Sequence, residues 1–115
     1  MKITNLEALT FVQTAGVLKE SGKLGFAIAK NMRKLADELV EYDQKRGEII
    51  QKYGIPEGDN RYRFTEENAK KFYEEMEEYD AMEFEFQPTT VSEEVFCSGS
   101  LTSDQMYALM WMVEN

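Results

Sequence analysis

Apolar residues recur with helical spacing most persistently between Leu24 and Tyr53. Leu24, Ile28, Met32, Leu35, Leu39, Tyr42, Arg46, Ile49 and Tyr53 follow one another at steps of three or four, a line down one side of a helix with Arg46 as its single flaw. Lys30, Arg33, Lys34, Asp37, Glu38, Glu41, Asp43, Lys45 and Glu48 fill the other positions, with Lys34–Glu38 and Glu41–Lys45 as opposite-charge pairs four residues apart. The pattern predicts one continuous helix over 24–53. A helix of that length outruns the cover that a chain of 115 residues can supply, so its seam is also a candidate homodimer interface. Arg46 has two readings. Either its stem lies over apolar neighbours while the guanidinium reaches water, or it pairs with a carboxylate across a dimer interface.

The remaining elements follow from shorter signals. Met1 to Ile3 reads as an extended lead. Thr4 stands three residues before Glu7, the spacing of a capping box, and Leu6, Leu9, Val12 and Ala15 supply an apolar face, so a helix is expected at 5–15. Gly16 and the run Glu20-Ser21-Gly22-Lys23 then turn the chain into a helical hairpin with the long helix. Gly54 suits a left-handed C-terminal cap and Pro56 blocks continuation. Ile55 to Asn60 reads as a turn and the alternation of Arg61 to Phe64 as a short strand.

Thr65 followed by Glu66 and Glu67 marks another helix start. Ala69, Phe72, Met76 and Tyr79, with Tyr73 beside them, predict a helix over 66–79. Met82-Glu83-Phe84-Glu85-Phe86 alternates strictly, which asks for a strand with its glutamates outward, and Val91 to Phe96 suggests one more short strand. Thr102 with Gln105 forms a second capping box, stapled by Leu101 and Met106, ahead of a helix over 103–113 that is apolar on nearly every side. Such a helix is either a core lid or, given Met106, Met110 and Met112, an adaptable protein-binding surface. The expected fold is a single α+β, mainly helical domain over 1–115: a helical hairpin with one long helix, packed on a small antiparallel sheet and two further helices.

Charge narrows the function classes. The net charge is −9, and its distribution is uneven: residues 1–64 carry 11 basic and 9 acidic side chains, whereas residues 65–94 carry 2 basic and 11 acidic ones. Nonspecific binding to nucleic acid or to an anionic membrane needs clustered Lys and Arg, so neither is expected. The 43% apolar content argues for a folded chain. The longest apolar stretch, Met106 to Val113, is too short to span a bilayer and no basic leader precedes an apolar run, so a soluble intracellular protein is expected. With no histidine and only Cys97, an intramolecular disulfide and a zinc site built from Cys and His are excluded. Cys97 itself, between Phe96 and Ser98, reads as a small semi-buried residue. No calcium-binding loop and no nucleophile elbow occurs, so no catalytic residue, metal site or cofactor is assigned.

The run Lys23-Leu24-Gly25-Phe26-Ala27-Ile28-Ala29-Lys30-Asn31, continuing through Leu35, Glu38, Leu39, Tyr42 and Arg46 to Lys52-Tyr53-Gly54, resembles the core of a family of small phage and prophage proteins of unknown function. The closing Leu101-Thr102-Ser103-Asp104-Gln105-Met106, with Leu109, Met112, Val113 and Glu114, is similar to that family's C-terminal segment. The resemblance covers a little under half of the chain and implies a phage or prophage gene, and with it the cytoplasm of a bacterial host cell as the expected location. It carries no activity or site, and the acidity between Glu66 and Glu94 departs from it.

The feature with most functional content is that acidic block. Glu67, Glu74, Glu75, Glu78 and Asp80 on the helix, with Glu83 and Glu85 on the strand, form a candidate partner-binding surface. Carboxylates four residues apart on a helix lie about 6 Å from one another, comparable to successive phosphates of a nucleic-acid strand. The expected partner is a host protein with a basic nucleic-acid-binding groove, and the sharpest expectation is a non-enzymatic inhibitor of a host defence nuclease, such as an anti-CRISPR. The plainer alternative is that these carboxylates only solvate a surface. An expectation of another class is a phage assembly factor that self-associates through the 24–53 helix.

Overall fold

The computed structural model describes residues 1–114. A short strand, β1 (Lys2–Thr4), leads directly into helix α1 (Asn5–Ala15). The capping box is present in both directions: the Glu7 amide donates to the Thr4 hydroxyl and the Thr4 amide to the Glu7 carboxylate, each at 3.1 Å. The buried stripe of α1 is Ala8, Phe11 and Ala15, with Leu9 and Val12 partly covered. Leu6, expected inward, is turned out.

The predicted long helix is interrupted at one residue. α2 spans Gly22–Glu38 and α3 spans Val40–Tyr53, with Leu39 between them at φ −87° and ψ 1°. Hydrogen bonds still pass through the joint, from the Leu39 amide to the Leu35 carbonyl (2.9 Å) and from the Asp43 amide to the Leu39 carbonyl (2.8 Å), so the rod bends without being severed. The covering elements change at this point: α1 packs on α2, whereas the helix that follows the hairpin packs on α3.

Every apolar member of the seam is covered within the chain. Leu24, Ile28, Leu35, Leu39, Tyr42 and Ile49 are buried, and Met32 and Tyr53 are half-buried against the same core. This corrects the expectation that so long a helix needs a second copy along much of its length. Arg46 lies with its guanidinium over the Phe72 ring of the neighbouring helix, 6.0 Å from the centroid, at the outer reach of a cation–π contact.

Gly54 ends α3 in an extended conformation (φ −83°, ψ 151°), not the left-handed one expected. Glycine is needed there for space: a Cβ would stand 2.7 Å from the Ile50 carbonyl oxygen and 2.9 Å from the Tyr62 Cβ. The chain then makes a minimal hairpin of β2 (Ile55–Pro56) and β3 (Tyr62–Arg63), closed by Gly58, Asp59 and Asn60 at positive φ. α4 (Glu66–Asp80) starts at Thr65, whose hydroxyl accepts from the Asn68 amide, and buries Phe72 and Met76. Tyr73 faces outward.

β4 (Glu83–Glu85) pairs antiparallel with β1 in the register Lys2 to Glu85, Ile3 to Phe84 and Thr4 to Glu83. Phe86 is buried and Phe84 half-buried, but Met82 is exposed. Where a third strand was expected at 91–96 there is a short helix, α5 (Glu93–Cys97), because the Ser92 hydroxyl accepts from the Val95 amide and Glu93 and Glu94 occupy the first turn. Cys97 is exposed at its end. α6 (Ser103–Leu109) has the predicted capping box and tightens into a 3-10 turn over Met110–Met112. Leu109 and Met112 are fully buried, while Tyr107 and Met110 face solvent.

The 87–91 connection is tied to α2 by Asn31, the one buried polar side chain among the described residues. Its amide nitrogen donates to the Thr89 carbonyl (2.9 Å) and its oxygen accepts from the Thr89 amide (2.7 Å). The architecture is α+β and mainly helical, a helical hairpin with one long, bent helical spine and small antiparallel pairings.

Candidate functional site

The predicted acidic residues divide into three groups. Glu74 and Glu78 point outward from α4 and have no ion pair among the described residues; Glu77 behaves in the same way. Glu67 is exposed beside them but is paired with Lys71 at 3.5 Å, one helical turn away.

Glu75 and Asp80, expected on the outer face, are instead turned toward α3. Glu75 Oε1 accepts from the Lys52 ammonium at 2.9 Å. That contact, and secondarily its charge and the nearby Tyr53 hydroxyl, holds the Glu75 carboxyl below the usual range, while the same bond raises Lys52. Asp80 Oδ1 accepts a hydrogen bond from the Tyr42 hydroxyl. Burial, then this hydrogen bond, then the Asp80 charge push the Tyr42 phenol well above its ordinary value. The two carboxylates therefore pin α4 to α3, and neither is free for a partner.

The strand carboxylates also separate. Glu85 lies 3.8 Å from the N-terminal ammonium and opposite Lys2 in the ladder, so it is partly compensated. Glu83 is exposed, without an ion pair among the described residues, and shares an open cleft of about 390 Å³ with Glu38 and Glu41. These two residues flank the bend at Leu39. Their i,i+3 spacing is visible in the sequence, but their meeting with Glu83 depends on β4 crossing the spine at the joint, for which there is no local signal.

The free acidic surface therefore has two parts: an α4 stripe of Glu74, Glu77 and Glu78, and a cluster of Glu38, Glu41 and Glu83 at the bend. Lys45 lines the same cleft, but it is held 3.5 Å from Glu48 and stands over the Tyr79 ring at 5.5 Å. Exposed carboxylates without a desolvating pocket have no means of separating their protonation states for acid–base work. No group of three or more His, Cys, Asp or Glu side chains is placed to hold a metal ion among the described residues, and no helix of the described residues is long and apolar enough to cross a membrane. Comparison with protein-family models, with curated proteins and with solved structures finds no match.

Proposed function

We propose that this chain works by binding another protein through its free carboxylates and performs no chemistry of its own. The observation that carries this reading is the exposure of Glu74, Glu78 and Glu83, together with Glu38 and Glu41, on ordered elements and without an ion pair among the described residues. A rigid negative surface of this kind complements a protein groove lined with Lys and Arg, and steers association with it. In its sharpest form the partner is a host nuclease, such as a CRISPR effector, whose basic groove is occupied in place of nucleic acid. The phage provenance implied by the sequence resemblance makes a defence enzyme the natural target. For the assembly-factor alternative, the apolar seam of the 24–53 helix is covered within the chain, which weighs against self-association through that seam.

The test is competition. Bacterial extract is passed over DNA-cellulose with and without the purified chain, and the retained proteins are identified by mass spectrometry. A specific nucleic-acid-binding protein should be lost from the column when the chain is present. An unchanged profile across defence-competent hosts refutes the proposal.

A further inference from the structure

Leu6, which the helical pattern places inward, stands 48% exposed at the start of α1, between two open clefts. On one side, a cleft of about 870 Å³ runs between β1–α1 and α4, floored by Ala69 and Tyr73. On the other, a cleft of about 450 Å³ runs between α1 and the C-terminal helix, lined by Met1, Tyr107 and Trp111. Tyr73 and Tyr107 are 70% and 82% exposed. Scattered apolar side chains on a surface need no explanation, but here residues from β1, α1, α4 and α6 meet around one leucine. The edge is charged: Glu7, Glu74 and Glu77 line the clefts, with Lys70 among them.

We propose that this surface is a docking groove for a basic amphipathic helix of a partner protein, with Leu6 as the ridge between two side-chain pockets. An apolar floor with a negative rim is matched by a helix with leucine-like residues on one face and Lys or Arg on its flanks. A second copy of this chain fits poorly, because a two-fold interface would bring two copies of the same negative rim together. An anionic lipid surface meets the same repulsion. The groove shares Glu74 and Glu77 with the acidic surface under Proposed function, but its centre is apolar and it excludes Glu78 and Glu83.

The chain carries its own reporter, because its single tryptophan, Trp111, lines the second cleft. The probe is a designed peptide of about 18 residues with leucines at i, i+3, i+4 and i+7 and lysines elsewhere, long enough to form a helix and free of aromatics. It should change Trp111 emission saturably, at least tenfold more weakly with Leu6→Glu or Tyr107→Ser, and as well as wild type with Glu78→Lys plus Glu83→Lys. The same peptide with glutamate in place of lysine should not bind. Circular dichroism confirms that each variant is folded; Leu6 and Tyr107 are exposed, so both substitutions should be tolerated. Absent saturation, equal binding of the acidic peptide, or binding lost with the Glu78 and Glu83 reversals but kept with Leu6→Glu overturns the proposal. So does a wild-type dimer in sedimentation that Leu6→Glu dissociates, which would assign the groove to a second copy.

Discussion

Replacing Asn31 with alanine should destabilise the protein more than any surface change, because it removes two interactions that no neighbouring group can restore. In the native chain the Asn31 amide satisfies both the carbonyl and the amide of Thr89 from a position with no solvent exposure. Each group left unpaired in a part-buried setting costs about 1–3 kcal/mol, so the pair is worth roughly 3 kcal/mol. For a domain of this size that corresponds to a fall in Tm of about 10 °C, at approximately 3–4 °C per kcal/mol. Lys34 also reaches the Gln87 carbonyl and the Thr89 hydroxyl, both at 3.1 Å, which should keep the segment docked while destabilised. Urea unfolding followed by circular dichroism should show the midpoint falling with an unchanged slope. Asn31→Asp sharpens the test. Its carboxylate can accept from the Thr89 amide but faces the Thr89 carbonyl with a charge, so the variant should lose more at pH 7 than in mild acid, where a protonated carboxyl donates again. A loss below about 0.5 kcal/mol in Asn31→Ala would refute this account of how the 87–91 connection is held.

Other outcomes follow from particular contacts. Gly54→Ala should cost about 1–3 kcal/mol through collision with the Ile50 carbonyl and Tyr62, since φ there is ordinary; thermal melts should show it less stable than wild type. The Tyr42 phenol is raised in the folded state, so the unfolded chain ionises first; stability should fall as pH rises past about 10, and spectrophotometric titration at 295 nm should show one of the six tyrosines resisting ionisation. Tyr42→Phe should remove that resistant group. Leu39→Asp buries a charge at a site 1% exposed, so circular dichroism should report unfolding, not the dissociation of a folded dimer.

The strongest local signals were legible in the sequence. Thr4 with Glu7 and Thr102 with Gln105 give both helix starts, because a capping box is a contact between residues three apart. The seam from Leu24 to Tyr53 is also correct as a list of covered positions, since burial follows the period whether or not the helix bends. The bend itself is set by which elements lie on either side of Leu39, a tertiary fact without a local mark. α5 was legible but outweighed: Ser92 with Glu93 and Glu94 is a helix start, and the apolar Val91, Val95 and Phe96 suggested a strand. Within the acidic block, periodicity could place Glu74 and Glu78 outward. It could not foresee that Lys52 and Tyr42, 23 and 38 residues earlier, draw Glu75 and Asp80 inward, nor that Glu38 and Glu41 join Glu83.

The central claim is that free carboxylates on α4 and at the Leu39 bend occupy a basic groove. Once a displaced nucleic-acid-binding protein is in hand, the most direct measurement is its affinity for the wild-type chain and for Glu74→Lys/Glu78→Lys/Glu83→Lys, each at about 0.05 and 0.3 M salt. The account predicts that wild-type affinity falls steeply with salt and that the triple variant, with an unchanged circular dichroism spectrum, no longer binds or displaces DNA. Equal affinity for both chains, or wild-type binding indifferent to salt, would contradict it.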